Sequence, residues 1–133
     1  MEKTLLIIKP DGVEKKVVGE VIRRMENQGF QILELKLIRM SRVDAERLYA
    51  VQREKPFYTS LIEFILSGPV VLVLLKGISA IMKLRELAGK TDPLEAGAGT
   101  IRGDFGSSIQ NNIVHASDSR DSAGREISIF FND

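Results

Sequence analysis

Several things are scarce in this chain, and each scarcity excludes something. Cysteine is absent from all 133 residues. That removes disulfides and every thiolate metal site, and fits a reducing compartment such as the cytoplasm. A charge excess is missing too: 19 Lys and Arg stand against 18 Asp and Glu, a formal net charge of +1. The balance gives no strong nucleic-acid or membrane signal, and no strand carries the aromatic motif of an RNA-binding sheet. Long apolar runs are lacking. The longest, Val70–Leu75, is far too short to span a bilayer. MEKTLLIIKPDG, at the start, does not have the pattern of a secretory signal. There is no internal repeat or low-complexity tract, and the length suits one domain over residues 1–133. Histidine occurs once, as His115, so a histidine-only metal site is ruled out by count.

The patterning that is present alternates strands and helices. Thr4–Ile8 reads as a buried strand closed by a Pro10-Asp11-Gly12 turn. Val18, Val21, Ile22 and Met25 keep helical spacing up to a stop at Gly29. Phe30–Met40 alternates, with Leu33, Leu35 and Leu37 on one side and Glu34 and Lys36 on the other, as in a half-exposed strand. Ser41 is placed to cap a helix carrying Ala45, Leu48 and Tyr49, and a short helix holds Leu61, Ile62 and Ile65. Val70–Leu75 is expected to be a central strand and Ile78–Ala88 a helix. Residues 89–111, glycine-rich and with little periodicity, read as a long functional loop. A short strand over Asn112–His115 and a helix from about Ser119 to Phe131 complete the order. The expectation is an α/β chain of the α+β sandwich type: a ferredoxin-like βαββαβ fold with added helices and a long loop before the last strand.

Polar residues in apolar places mark candidate sites. On the helix wheel Arg85 falls between Ile78 and Ile81; it either snorkels or meets a ligand. Glu126 flanks the stripe of Ala123, Ile127 and Phe130, where a carboxylate needs solvent, a lysine or an imidazole. Lys9 ends the first strand and is kept extended by Pro10, so it is a solvated lysine or one aimed at a ligand. With Thr91 and Arg102 of the glycine-rich segment, Lys9 and Arg85 suit a polyanion. That segment is not a P-loop, because no G-x-x-x-x-G-K-[ST] exists. Asp104-Phe105-Gly106 lacks the partner motifs of a protein kinase, and Arg102-Gly103-Asp104 lacks any sign of secretion. His115 alone reads as structural. A partner that fixes its tautomer would make it a nucleophile, and Glu126 is a candidate, with Ser117 able to bridge or to hold a phosphate oxygen. Asp118 or Ser119 is expected to cap the last helix.

Together IIKPDGV, EKPFY at 54–58, SGPVV at 67–71, GKTDP at 89–93, GTIRGDF at 99–105 and NNIVHASDS at 112–120 make the chain resemble a nucleoside diphosphate kinase over essentially its whole length. That resemblance implies ping-pong transfer of a γ-phosphate from a nucleoside triphosphate to a nucleoside diphosphate. A phosphohistidine on His115 would be the intermediate, with Glu126 holding the other ring nitrogen and Ser117 close by. It further implies phosphate contacts from Lys9, Arg85, Thr91 and Arg102, and ribose contacts from Lys9 and Asn112. Phe57 would stack on the base with Ile109 on its other side, which tolerates any base. Tyr49 would line the site near His115. Mg²⁺ would ride on the nucleotide phosphates and water, with Asp118 at most an indirect contact. A cytoplasmic homo-oligomer is implied, a hexamer or else a tetramer, although the longer C-terminal tail of many members is not seen after Asp133. Position 116 is Ala where the family commonly has Gly; at negative φ this is harmless and activity is expected to survive. The competing expectations are a nucleotide-binding module without catalysis and a nucleic-acid binder.

Overall fold

A computed structural model describes residues 1–131. It contains four strands, β1 (Glu2–Ile8), β2 (Gln31–Ile38), β3 (Val70–Gly77) and β4 (Val114–Ala116). They form one antiparallel sheet in the order β2-β3-β1-β4. This is the expected ferredoxin-like order. The two central strands, β1 and β3, carry apolar side chains on both faces because both faces are covered. Seven helices surround the sheet: α1 (Pro10–Glu14), α2 (Val18–Asn27), α3 (Arg42–Leu48), α4 (Tyr58–Ile65), α5 (Ala80–Ala88), α6 (Ile101–Phe105) and α7 (Arg120–Phe130).

The period-2 alternation of β1 sorts its residues into two cores. Leu6 and Ile8 pack with Val21 and Met25 of α2 and with Ala80, Leu84 and Ala88 of α5. Leu5 and Ile7 pack with Ala45 and Leu48 of α3, Ile62 and Ile65 of α4, and Ala123 and Ile127 of α7. In β4 the same alternation matters for the site. Val114 and Ala116 join the first core, while His115, opposite Ile7, turns to the face held by α3, α4 and α7.

Four local readings are corrected. Pro10-Asp11-Gly12 is not merely a turn; Pro10 opens α1, since its missing N–H costs nothing in the first helical turn. The 89–111 segment contains α6, capped by Thr100, whose hydroxyl accepts from Gly103 N–H at 3.0 Å. The last strand begins at Val114 rather than Asn112, because Ile113 sits at φ 79°, which no strand accommodates. A bulge between Ile32 and Glu34 of β2 breaks the expected leucine face. Leu33 packs on one core, while Leu35 and Leu37 stand 49% and 64% exposed along the sheet edge.

Helix caps otherwise follow the sequence. Ser41 caps α3 and Ser119 caps α7, each hydroxyl accepting from an N–H three residues on at 3.1 Å. The 97–106 segment is clasped to α2. Arg24 pairs with Asp104 at 2.8 Å, lies over the Phe105 ring at 4.9 Å and donates to Gly99 O. Lys15 donates to Phe105 O and to the Ser107 hydroxyl. The clasp holds a glycine-rich segment, which has little intrinsic stiffness, in one position beside β4.

Candidate active site

A cleft of about 1310 Å³ opens between α5, the 89–112 segment, β4 and the α3–α4 connection. Its lining includes Lys9, Tyr49, Phe57, Arg85, Thr91, Arg102, Ile109, Asn112, His115 and Asp118. Sequence reasoning named all ten. It did not name Gln52, Met82, Thr100 and Gln110, which also line it; none of them breaks a pattern, so the chain carries no signal for them.

His115 stands on the cleft wall. Its Nε2 lies 2.8 Å from Glu126 Oε1. Glu126 is 4% exposed. A carboxylate so deep costs several kcal/mol unless hydrogen bonds replace its water. The replacements are His115, the buried Ser117 hydroxyl, which donates to the same Oε1 at 2.7 Å, and Arg125, 3.6 Å from Oε2. The carboxylate accepts from Nε2, so Nε2 carries the proton and Nδ1 keeps its lone pair. The Tyr49 ring meets the imidazole edge-on, at 6.1 Å and 89°. Ser117 is fully buried and occupied by Glu126, so the alternative of holding a phosphate oxygen does not apply in this geometry.

The cations reach the cleft by different routes. Lys9 follows β1 directly, in extended geometry as the N-cap of α1, and is 6% exposed; its Nζ donates to Asn112 Oδ1 at 2.8 Å. Asn112 Nδ2 in turn donates to Thr91 O at 2.9 Å. Burial, together with the nearby Arg102 charge, pushes the Lys9 ammonium down to about 8, while Asp11 opposes the shift. Arg102, on α6, donates to Gly89 O at 2.8 Å and Val114 O at 2.9 Å, tying the 89–106 segment to β4. Burial first, and Arg85 second, lower its pKa. Arg85 is exposed on the cleft flank of α5. Of the expected apolar stripe, Ile81 packs at the margin of a core but Ile78 does not, and the stripe is not the fully buried face. That face is Ala80, Leu84 and Ala88, and Ile78, before the helix starts, is 72% exposed. Arg85 therefore faces the cleft without crossing the core.

Two buried polar atoms of cleft residues, the Tyr49 hydroxyl and Arg102 Nε, have no hydrogen-bond partner among the described residues. Each such atom costs about 1–3 kcal/mol, and sites that bind polar ligands are where the cost is tolerated. Asp118 is held below the usual carboxylate range by hydrogen bonding to Ser122, then to Ser119, with Arg85 nearby. Phe57 and Ile109 are 50% and 61% exposed on the cleft. Ala116 has no positive φ, so its methyl sits without backbone strain, as expected.

The backbone leading into His115 is strained. Ile113 is fully buried at φ 79°, and Val114 N–H bonds back to Asn112 O at 2.9 Å, a γ-turn. For a β-branched residue this geometry costs about 1–3 kcal/mol, and such strain concentrates at functional sites.

Fold and cleft together define a ferredoxin-like α+β protein whose one histidine, backed by a buried carboxylate, stands in a cationic cleft. Comparison with known proteins narrows this. The family model described as nucleoside diphosphate kinase matches residues 2–133. The nucleoside diphosphate kinase of Archaeoglobus fulgidus is 52% identical over 133 residues, covering 100% of this chain and 88% of that protein. That of Desulfosudis oleivorans is 52% identical over 132 residues, covering 99% and 95%. Among solved structures, the Aquifex aeolicus nucleoside diphosphate kinase superposes with a TM-score of 0.97 at 44% identity, covering 98% of this chain and 95% of that one. A halophilic nucleoside diphosphate kinase from Halobacterium salinarum, in complex with CDP, gives 0.96 at 39% identity, covering 99% and 88%. The chain belongs to the nucleoside diphosphate kinase family, and is a kinase acting on nucleotides.

Lys9 gives a pH prediction. Its ammonium loses its proton near pH 8 in the free protein, and an anion binds the charged form better. ADP affinity, measured by calorimetry, is expected to fall as pH rises through about 8 and to lose that dependence in Lys9→Met. An affinity flat across the pH range on either side of about 8 in the native protein contradicts this.

Proposed function

We propose that the chain moves the γ-phosphate of a nucleoside triphosphate to a nucleoside diphosphate in two half-reactions, through a phosphohistidine on His115. The observation that carries this is the ring geometry: one imidazole nitrogen is tied to buried Glu126, and the residue lines a cleft of cations. In the first half-reaction the Nδ1 lone pair attacks the γ-phosphorus. The bond to the β-phosphate bridging oxygen breaks and the diphosphate leaves. In the second, a β-phosphate oxygen of another diphosphate attacks the phosphorus, the N–P bond breaks, and its electron pair returns to Nδ1. Nε2 keeps its proton throughout, and Glu126 stabilises the positive charge that develops on the ring.

The other residues position and neutralise. Lys9, Arg85, Thr91 and Arg102 take the phosphates, which suits a transfer that depends on placement and charge more than on covalent help. Asn112 and Lys9 take the ribose hydroxyls. Tyr49, whose hydroxyl is pushed above its usual range by burial and the Glu126 charge, stays a neutral donor beside His115. Phe57 and Ile109 enclose the base without reading its edges, so base specificity is broad.

Mg²⁺ is the implied cofactor, and the donor set fits it in one way only. Among the described residues no group of three or more His, Cys, Asp or Glu is placed to hold a metal. Nucleotide phosphates and water would supply most ligands, with Asp118 on the cleft wall as an indirect contact. Bound there, Mg²⁺ supplies charge neutralisation on the phosphate oxygens.

The chain is further read as one domain over residues 1–133. No helix among the described residues is long and apolar enough to cross a membrane, and the cytoplasm is the compartment we assign. Leu35 and Leu37, exposed along the outer edge of β2, favour a homo-oligomer. We assign a hexamer, with a tetramer as the alternative. Sedimentation equilibrium is expected to give six times the 14.8 kDa chain mass; a monomer at micromolar concentration contradicts the assignment.

The central test is labelling. Incubation with γ-labelled ATP and Mg²⁺ is expected to leave acid-labile, alkali-stable label on the native protein and none on His115→Ala. GDP should discharge the label as GTP. Wild-type protein that binds nucleotide but takes no label refutes the proposal and favours a binding module without catalysis.

A further inference from the structure

Asp11 is a buried carboxylate that none of the steps above uses; it is 8% exposed. It lies in the first turn of α1, well separated in sequence from β4, yet its Oδ2 accepts the backbone N–H of Ile113 at 3.0 Å. Ile113 is the residue at φ 79°. The turn it forms is held from three sides. Lys9 N–H donates to Ile113 O at 2.7 Å. Gly12 packs so closely that an added Cβ would lie 3.0 Å from Ile113 Cγ2 and 2.8 Å from Ile8 Cγ2. Asp11 takes the remaining group, the N–H, which is fully buried and would otherwise be orphaned.

The turn has two functional neighbours. Asn112, immediately before it, receives the Lys9 ammonium, and His115 lies two residues after it. A buried β-branched residue at positive φ persists only where its surroundings over-determine it. Without an acceptor on its N–H, the cheapest relaxation is rotation of the Asn112–Ile113 peptide toward negative φ. That rotation moves the Asn112 side chain off Lys9 and shifts the start of β4.

We propose that Asp11 is a positioning residue for phosphate transfer: by accepting the Ile113 N–H it holds the strained turn that sets Asn112 and His115 against Lys9. This rests on the phosphohistidine reading above. Asp11 touches no reacting atom. Its charge also favours the Lys9 ammonium, so rates are compared well below pH 8, where Lys9 is charged with or without it and the position of the Asp11 oxygen is what remains.

That distinction supplies the test. Asp11→Asn keeps an acceptor oxygen in place and removes the charge. Asp11→Glu keeps the charge and displaces it by a methylene, and Asp11→Ala removes the acceptor. Phosphohistidine formation is read in a single turnover on folded protein, checked by circular dichroism. Asp11→Asn is expected within about threefold of wild type, and Asp11→Glu and Asp11→Ala slower by about tenfold or more, the scale of a sub-ångström to ångström misplacement. Full rates in Ala and Glu overturn the proposal, as does Asn as slow as Ala or Glu faster than Asn. Where Glu and Ala do not fold, the Ile113 amide proton decides. Its NMR resonance is expected to move upfield in Asp11→Asn as the acceptor loses charge; an unmoved resonance overturns the proposal. Wild-type protein that takes no label refutes the phosphohistidine reading instead, so the two failures are distinguishable.

Discussion

The hydrogen bond from His115 to Glu126 is the interaction on which the site depends. At 2.8 Å it fixes which ring nitrogen carries the proton and which way the ring faces. It also makes the burial of Glu126 tolerable, since the same Oε1 accepts from Ser117. Each member needs the others. Without the imidazole, Glu126 keeps its burial and loses a principal partner; without Glu126, the imidazole has no fixed tautomer. The sheet makes the pairing achievable. β4 turns His115 onto the face that α7 covers, and α7 then brings Glu126 back over it.

The cationic side is balanced differently. Burial and the Arg102 charge lower the pKa of Lys9, and burial and the Arg85 charge lower that of Arg102. Their hydrogen bonds go to Asn112, Gly89 and Val114, groups that hold the cleft wall together. The wall is thus built in a state that a multiply charged anion would relieve. Strain at Ile113 and the unpartnered Tyr49 hydroxyl and Arg102 Nε have the same character. They are local costs within a sheet whose central strands are fully packed, and they gather at one cleft.

Much of this was legible in the sequence, for reasons particular to each residue. The element order and the central place of β3 follow from an apolar run on both faces. His115 stood out as the one histidine, and Lys9 stood out because Pro10 follows it. Glu126 was legible as a carboxylate on the edge of an apolar stripe, though its partner was one choice among three. Arg85 was noticed for a reason that held only in part, since α5 buries Ala80, Leu84 and Ala88, and of the expected stripe Ile81 packs on a core while Ile78 is exposed. What stayed hidden depends on distant contacts. The β2 bulge is set by pairing with β3, and α6 is a five-residue helix held by Thr100 and by Arg24 on α2. The positive φ of Ile113 runs against its β-branched preference. It exists because Lys9, Asp11 and Gly12, about a hundred residues away in the chain, close around it.

In the proposed mechanism Glu126 leaves Nδ1 of His115 as the free, attacking nitrogen. Long-range ¹H–¹⁵N correlation on histidine-labelled protein reads the tautomer directly. With one histidine in the chain the spectrum holds a single ring. The neutral ring is expected to carry its proton on Nε2 and to leave Nδ1 unprotonated, with the two forms mixing in Glu126→Ala. A native ring protonated on Nδ1 would contradict it.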